Sequence, residues 1–244
     1  MMALAVIAIA AAGGIYAAAK GQSVNALMAA DPQTILIDPV LRQTALPLGQ
    51  DVFEHRCATC HGAAGKPDQK LGVPDLTDGD WLYGKGEVSE IEQTVLHGIR
   101  SGDSRGWNLA YMPAYARSRP YASEPIMPLM PSEITDVAGY LHSLPDPVGL
   151  DPQVIARGRA VYAGKGGCWD CHGATAGGDA AIGAPNLADE VWLYGDGSQV
   201  SIARTISYGR FGRMPAFAKT LTAVEARAVA VYVAALSRTE LKGH

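Results

Sequence analysis

The sequence has few phenylalanines, no cluster of basic residues and only four cysteines. Three Phe stand beside ten Tyr and four Trp in 244 residues, which is a thin aromatic core for a globular chain. The formal net charge is −4 and no stretch concentrates Lys or Arg, so nucleic acid is not expected as a partner. The shortage of Phe suggests that something other than side chains fills part of the interior.

The rest of the composition is that of a globular protein. Hydrophobic residues make up 48% and charged residues 18%, which is too apolar for a disordered chain. At about 100–200 residues per domain, the length predicts one large domain or two small ones. The 28 glycines and 15 prolines predict many loops and turns.

Residues 1–19 carry no charged side chain, and about 20 apolar residues span the hydrocarbon core of a bilayer. We predict a single-pass transmembrane anchor over residues 1–20 in the inner (cytoplasmic) membrane, with the rest of the chain on the periplasmic side. A cleaved signal peptide is the alternative, but its basic n-region is missing. The small residues favour packing against the helices of a membrane partner. Residues 21–46 contain Asp-Pro twice and are predicted to form a tether.

An internal repeat organises the remaining chain. Adding 111 to a position in the first copy gives its partner in the second, so that "WLYG" from Trp81 recurs from Trp192. The methionine loops, "MPAY" from Met112 and "MPAF" from Met214, are offset by only 102, because the first copy has nine extra residues ahead of its methionine. We predict two separate homologous all-α domains, residues 47–147 and 148–240.

Each copy closes with an amphipathic helix. Apolar residues recur at i, i+3, i+4 and i+7, as Val137, Tyr140, Leu141 and Leu144 in the first copy and as Val229, Tyr232, Val233 and Leu236 in the second. This spacing places the four side chains on one helix face. Thr222 followed by Glu225 predicts a capping box at the start of the second closing helix.

All four cysteines belong to two copies of C-x-x-C-H, "CATCH" at residues 57–61 and "CWDCH" at residues 168–172. This motif is the attachment signal for c-type haem, in which the thiols add to the porphyrin vinyl groups and the His binds the iron. A redox dithiol would not need the His, a Cys₂His₂ zinc site would need a second His nearby, and a disulfide would not select His at the fifth position. We therefore predict two covalently bound haem c groups, held by Cys57, Cys60, His61, Cys168, Cys171 and His172.

Methionine is predicted as the sixth iron ligand in both domains, the arrangement of cytochromes c that carry electrons. Met214 is the only methionine after His172 and is assigned to the second domain. Met112, Met127 and Met130 compete in the first domain. Met112 shares the M-P-A-aromatic context of Met214 and is our choice, which leaves Met127 and Met130 as packing residues or contacts to a partner.

The order of helix, C-x-x-C-H, proline loop, helix, methionine loop and closing helix resembles the class I cytochrome c domain. That resemblance implies that a proline carbonyl accepts a hydrogen bond from Nδ1 of the ligand His. Pro74 and Pro185 each stand 13 residues after their His and match that position. A proline that only makes a turn is the alternative.

The chain is further similar to the dihaem cytochrome c subunit of cbb3-type cytochrome oxidases. The similarity covers residues 47–238 and is carried by "GAPNLADEVWLYG" from Gly183, "TISYGRFGRMPAF" from Thr205 and "TVLHGIRSGDSRGWNLAYMPAY" from Thr94. It implies a membrane-tethered electron carrier that is not an enzyme in its own right. The implied partners are integral-membrane subunits of a respiratory complex and a soluble electron donor such as a monohaem cytochrome c.

Several other polar and aromatic residues have two interpretations. Trp81, Tyr83, Trp192 and Tyr194 either close the haem edges or pack loop against helix. Arg100 and Arg210 either pair with haem propionates or lie solvated at the surface. His55, His97, His142 and His244 lack repeat partners and are predicted to be surface residues, not ligands.

Three other functions compete with a relay to an oxidase. The chain could instead collect electrons as a subunit of a periplasmic dehydrogenase. A dihaem peroxidase would need an open iron position with acid–base groups beside it, and neither is evident in the sequence. A gas sensor would need a labile methionine.

Overall fold

The computed structural model describes residues 21–67, 72–117, 127–147 and 149–238. Within these ranges the chain is all-α, with isolated bridges but no β-strand, as predicted. After a helical stretch at residues 21–29, the α-helices are α1 (Pro39–Arg56), α2 (Ala58–His61), α3 (Val88–His97), α4 (Pro131–His142), α5 (Pro152–Ala163), α6 (Trp169–His172), α7 (Gln199–Tyr208) and α8 (Ala223–Ser237). None of the described helices is both long and apolar enough to cross a membrane. The predicted anchor, residues 1–20, lies outside the described ranges.

The segment predicted as a tether is folded onto the rest of the chain. Residues 21–29 are helical, and Leu27, Ile35 and Leu36 are buried in the same core as α1. The second Asp-Pro pair starts a helix, because Asp38 accepts hydrogen bonds from the backbone N–H groups of Val40 and Leu41 at 2.8 and 3.0 Å and Pro39 suits the first helical position. α1 therefore begins inside the region expected to be a linker.

The first core is built from both halves of the chain. It packs α1 and α3 of the first repeat against α8, the closing helix of the second repeat. Phe53 of α1, Val88 of α3 and Val229 of α8 are fully buried at its centre. Arg227 of α8 also donates to Glu92 of α3, and this mostly buried ion pair joins the two halves.

The second core is the counterpart of the first. α5 and α7 of the second repeat pack against α4, the closing helix of the first repeat. Val137 of α4, Tyr162 of α5 and Ile202 of α7 are buried together. Arg157 donates two hydrogen bonds, of 2.8 and 2.9 Å, to Asp136 across the α5–α4 contact.

The structure thus differs from the predicted pair of self-contained domains, because the closing helices are exchanged. The repeat itself supplies the physical reason: both closing helices present the same apolar face, so each fits either groove, as in a domain swap. The capping box of Thr222 and Glu225 is confirmed. The predicted apolar face of each closing helix packs on a core, but α8 also buries Ala230 and Val231 outside that face. Sequence periodicity defines the helix face but does not state which groove receives it.

Two glycines allow the exchanged loops to approach. Gly98 and Gly209 end α3 and α7 with φ of 70° and 68°, a left-handed conformation that favours glycine. A Cβ at Gly98 would collide with the carbonyl oxygen of Met214, and a Cβ at Gly209 with that of Met112. Each repeat therefore makes room for the other repeat's methionine loop.

Candidate haem sites

His172 is the best-defined ligand candidate of the second site. It ends α6, is 9% exposed, and its Nδ1 lies 2.9 Å from the carbonyl oxygen of Pro185. Burial lowers its pKa, and the Pro185 carbonyl opposes that shift. The imidazole is therefore neutral, with Nδ1–H donating to Pro185 and the Nε2 lone pair left for a metal.

The thiols of the second motif open into the same space. Cys168 and Cys171 line a cavity together with His172, and all four cysteines of the chain are free of disulfides. Burial raises the pKa of Cys168 to about 11 and that of Cys57, in the first motif, also to about 11. Free thiols beside the imidazole are what thioether attachment of haem requires.

The first site repeats this arrangement with one difference. His61 ends α2, and its Nδ1 is buried without a hydrogen-bond partner among the described residues. Burial lowers the pKa of His61, while the Pro74 carbonyl acts in the opposite direction. That carbonyl faces the ring but falls short of hydrogen-bond geometry, in contrast to Pro185 opposite His172.

The methionines are exchanged in the same way as the helices. Met112 lines the cavity of Cys168 and His172, whereas Met214 and Cys57 both pack against the first core. This placement is the opposite of the predicted pairing, which put Met112 with the first motif and Met214 with the second. Met127 and Met130 are 68% and 56% exposed.

Matching backbone bridges hold the two methionines. Ile99 and Met214 exchange two backbone hydrogen bonds of 3.0 and 2.9 Å, and Met112 and Arg210 exchange two of 3.1 and 3.0 Å. Residues 99 and 210 are partners at the repeat offset of 111. The two sites are thus related by a pseudo-two-fold exchange that includes the backbone around each methionine.

The tyrosines of the two "WLYG" copies also cross between sites. The ring of Tyr83 covers Gly183, in the loop of the second site, and the ring of Tyr194 covers Gly72, in the loop of the first. A Cβ at either glycine would overlap the facing ring. The tyrosines therefore lie where the two site loops meet and close each site from the opposite half of the chain.

The tryptophans stay with their own cores. Trp81 packs against the first core and Trp192 against the second, where it also lines the cavity. Trp107, which the sequence analysis did not single out, stacks on Tyr83 at 5.0 Å between ring centroids and donates to Thr94 at 2.9 Å. It belongs to the nine-residue insertion, which has no repeat partner to draw attention to it.

Both predicted arginines line the cavity of the second site. Arg100 donates to the carbonyls of Gly212 and Ala110 at 2.5 and 2.6 Å and to the Tyr83 hydroxyl at 3.1 Å. Arg210 donates to Thr205 at 2.6 and 3.2 Å and stacks over the ring of Tyr194. Neither is a freely solvated surface side chain.

One of the four unmatched histidines is not at the surface as predicted. His97 is 5% exposed, and its Nδ1 lies 3.1 Å from a carboxylate oxygen of Asp103. The inserted loop that holds Asp103 folds over the end of α3 and covers the ring. His142 is half-buried, His55 is exposed, and His244 lies outside the described residues.

The residues of the second cavity fit a covalently attached haem. Two neutral thiols, a fixed imidazole and a thioether meet in a space otherwise lined mainly by apolar side chains, including Leu82, Tyr115, Leu141, Leu187, Trp192, Ile202 and Ile206. The buried Nδ1 of His61 has no hydrogen-bond partner among the described residues, but the Pro74 carbonyl acts on its pKa as Pro185 does on that of His172, so the first site fits the same role. Soft thioether and imidazole donors are those that cytochromes c offer to haem iron.

Together the fold and the sites define a dihaem cytochrome c built from two class I units, and the comparisons with known families agree. Residues 47–145 match the cytochrome c family, and residues 153–233 match the family described as cytochrome c oxidase, cbb3-type, subunit III. The chain carries two covalently bound haem c groups and is an electron-transfer subunit, not a catalytic one.

Curated relatives extend this match over most of the chain. The cbb3-type cytochrome c oxidase subunit FixP of Bradyrhizobium sp. (strain ORS 278) is 38% identical over 89% of this chain and 70% of its own length. The corresponding FixP of Sinorhizobium medicae (strain WSM419) is 36% identical over 85% of this chain and 66% of its own length. Subunit CcoP of Cereibacter sphaeroides is 34% identical over 92% and 72%. The chain belongs to the family of cbb3-type cytochrome c oxidase subunit III and spans about two thirds of the length of these relatives.

Proposed function

We propose that this chain relays single electrons from a soluble donor, such as a monohaem cytochrome c, to a haem–copper oxidase of the cbb3 type. The observation that carries the proposal is the convergence of a C-x-x-C-H motif and a methionine in one cavity at the second site. At the first site Cys57 and Met214 pack against the same core. Support for the oxidase comes from the curated relatives described above, which are subunits of cbb3-type oxidases. Residues 1–20 would anchor the chain in the inner membrane, with both sites on the periplasmic side.

The residues that would hold each haem iron follow the exchanged packing. We assign His172 and Met112 to one iron and His61 and Met214 to the other. Bound haem c supplies the one-electron change between ferric and ferrous iron. With an imidazole and a thioether bound to each iron, no coordination position would remain open for a substrate. This disfavours a peroxidase.

Other residues of the chain fix the orientation of these ligand side chains. The Pro185 carbonyl orients the imidazole of His172, and the backbone bridge between Met112 and Arg210 fixes the methionine loop facing it. The apolar walls exclude water from the site. A rigid, dry ligand set changes little between oxidation states, which suits fast electron transfer and not chemistry on a substrate.

The partner is tested on the native complex. Membranes are solubilised gently, the full chain is captured through a C-terminal tag, and the complex is assayed with an artificial reductant. Cyanide-sensitive oxygen uptake, with haem b and copper in the complex, supports the oxidase. Reduction of the haems by an organic substrate, with no oxygen uptake and neither haem b nor copper, would instead establish the dehydrogenase subunit.

A further inference from the structure

The charges around the two sites are unequal although the backbones are matched. Arg210 bridges to Met112 at the second site, and the repeat partner of Arg210 is Ile99, which bridges to Met214 at the first. Arg100 also lines the second cavity, and the residue 111 positions after it is Phe211. Two cations at the second site thus correspond to two uncharged side chains in the repeat.

Neither cation has a carboxylate partner among the described residues. Arg157 and Arg227 pair with carboxylates elsewhere, whereas the hydrogen bonds of Arg100 and Arg210 within the described chain end on carbonyls and hydroxyls. The lining of the second cavity includes no Asp or Glu. Burying a charge without a counter-ion costs free energy. An anionic group bound in the cavity would therefore stabilise the two arginines.

The backbone of Arg100 supports a specific role for this side chain. Arg100 has φ of 48°, one of two non-glycine residues with positive φ in the described chain. Such a conformation is strained and persists where the surroundings enforce it. Three hydrogen bonds, to both methionine loops and to Tyr83, hold the guanidinium at the cavity.

The loops that hold Asp75 at the first site and Asn186 at the second also differ in charge, by a smaller amount and in the same direction. Asn186 lines the second cavity, and its repeat partner in the first loop is Asp75. The carboxylates that follow are balanced, with Asp78 and Asp80 in the first loop against Asp189 and Glu190 in the second. The loops do not set the difference by themselves, because Lys66 interacts with Asp78 in the first loop and the repeat partner of Lys66 is Gly177. The cations next to Met214, Arg213 and Lys219 among them, are exposed. The asymmetry therefore rests on the two partly buried arginines of the second cavity.

We propose that Arg100 and Arg210 make the haem of the second site the higher-potential haem of the pair, so that a single electron in the chain rests there. This inference depends on the proposed function, since it takes haem c with His–Met ligation at both sites. Reduction removes one positive charge from the iron, so a nearby cation favours the ferrous form and a nearby carboxylate the ferric form. Partial burial protects these interactions from salt screening.

The relay then has an order. Electrons would enter through the first site, where Asp75 stands and the bridging residue is Ile99, and leave from the second. Because the arginines come from both halves of the chain, the exchanged fold is what brings two cations to one site. Separate, unexchanged units could not place Arg100 at the cavity of His172.

The test is a redox titration of the purified full-length dihaem protein, with Arg100→Gln and Arg210→Gln as variants. Each variant should lower the upper midpoint potential by about 59 mV, which is a tenfold change in the one-electron reduction equilibrium. The lower midpoint potential should not change. Arg100→Lys should restore part of the shift because it keeps the charge. Arg159→Gln, at an exposed position on α5, is the control and should change neither potential.

Two further variants assign the haems. Met112→His should move the same upper potential, which marks the second site, and Asp75→Asn should raise only the lower one. Unchanged potentials in both Gln variants, a shift of the lower potential instead, or no recovery in Arg100→Lys would overturn the inference. A pyridine haemochrome assay precedes the titration: fewer than two c-type haems per chain in the unmutated protein would defeat the proposed function itself.

Discussion

The two haem sites share their backbone and differ in how their ligands are supported. At the second site the imidazole of His172 is bonded to Pro185 at 2.9 Å, and two arginines line the cavity. At the first site Nδ1 of His61 is buried with no hydrogen-bond partner in the part of the chain that the structure describes, and the bridging residue is the uncharged Ile99. The two copies of the repeat share the backbone geometry of the site and differ in the charges around it. The proposed directional relay requires such a difference.

The largest expected effect comes from removing one attachment motif. Replacing Cys57 and Cys60 by Ala should reduce covalent haem from two groups to one per chain, because thioether bonds form only at C-x-x-C-H. The pyridine haemochrome of acid–acetone-extracted protein measures this. The matched pair Cys168→Ala and Cys171→Ala should leave the other haem. If either double variant retained two covalent haems, the attachment sites would be wrong.

The exchange of methionines can be broken in these single-haem backgrounds. With only the second haem present, Met112→His should lower its potential by on the order of 0.1 V, a modest part of the roughly 0.8 V that axial ligands control. Met214→His should have no comparable effect in that background and should act only where the first haem remains. The reverse result would restore the unexchanged domains and contradict the packing of α4 and α8.

The sequence predicted the local chemistry well and the long-range pairing poorly. The C-x-x-C-H motifs, the closing-helix faces and the cap at Thr222 depend on residues close in the chain, and each has a spacing that reports it. The partner of Met112 depends on which of two equivalent grooves a helix enters, and two copies of one pattern are silent on that choice. His97 was misjudged for a related reason: the inserted loop that buries it has no repeat to define it.

A smaller effect is expected from the glycines that seat the methionine loops. Gly98→Ala should destabilise the protein by about 1–3 kcal/mol, since alanine would be forced to a positive φ and its Cβ would press on the Met214 carbonyl. The far-red charge-transfer band of ferric iron–thioether ligation should weaken for the first haem. Gly209→Ala should do the same for the second haem through Met112. Gly102, also at positive φ but with open space around its Cα, is the control: Gly102→Ala should leave the band intact.

The smallest expected effect compares the starts of the two exchanged closing helices. α8 begins after Thr222, whose hydroxyl accepts a hydrogen bond from the backbone N–H of Glu225 at 3.3 Å, while Glu225 accepts one from the N–H of Thr222 at 2.7 Å. α4 begins after Met130, which keeps the second of these bonds, to Glu133 at 2.7 Å, but has no hydroxyl for the first. Thr222→Ala should therefore cost about 1 kcal/mol of unfolding free energy.

Met130→Thr should have the opposite sign, a gain of up to about 1 kcal/mol, because it completes a capping box and removes a methionine that is 56% exposed. Denaturant unfolding of the holoprotein, followed by far-UV circular dichroism, gives both values. Each closing helix packs on the other repeat. The charge-transfer band of each haem therefore shows which site is destabilised by each substitution. Thr222→Ala should first loosen the haem of His61, and Met130→Thr should protect the haem of His172. A Thr222→Ala variant that loosened the His172 haem first would place α8 back on its own repeat.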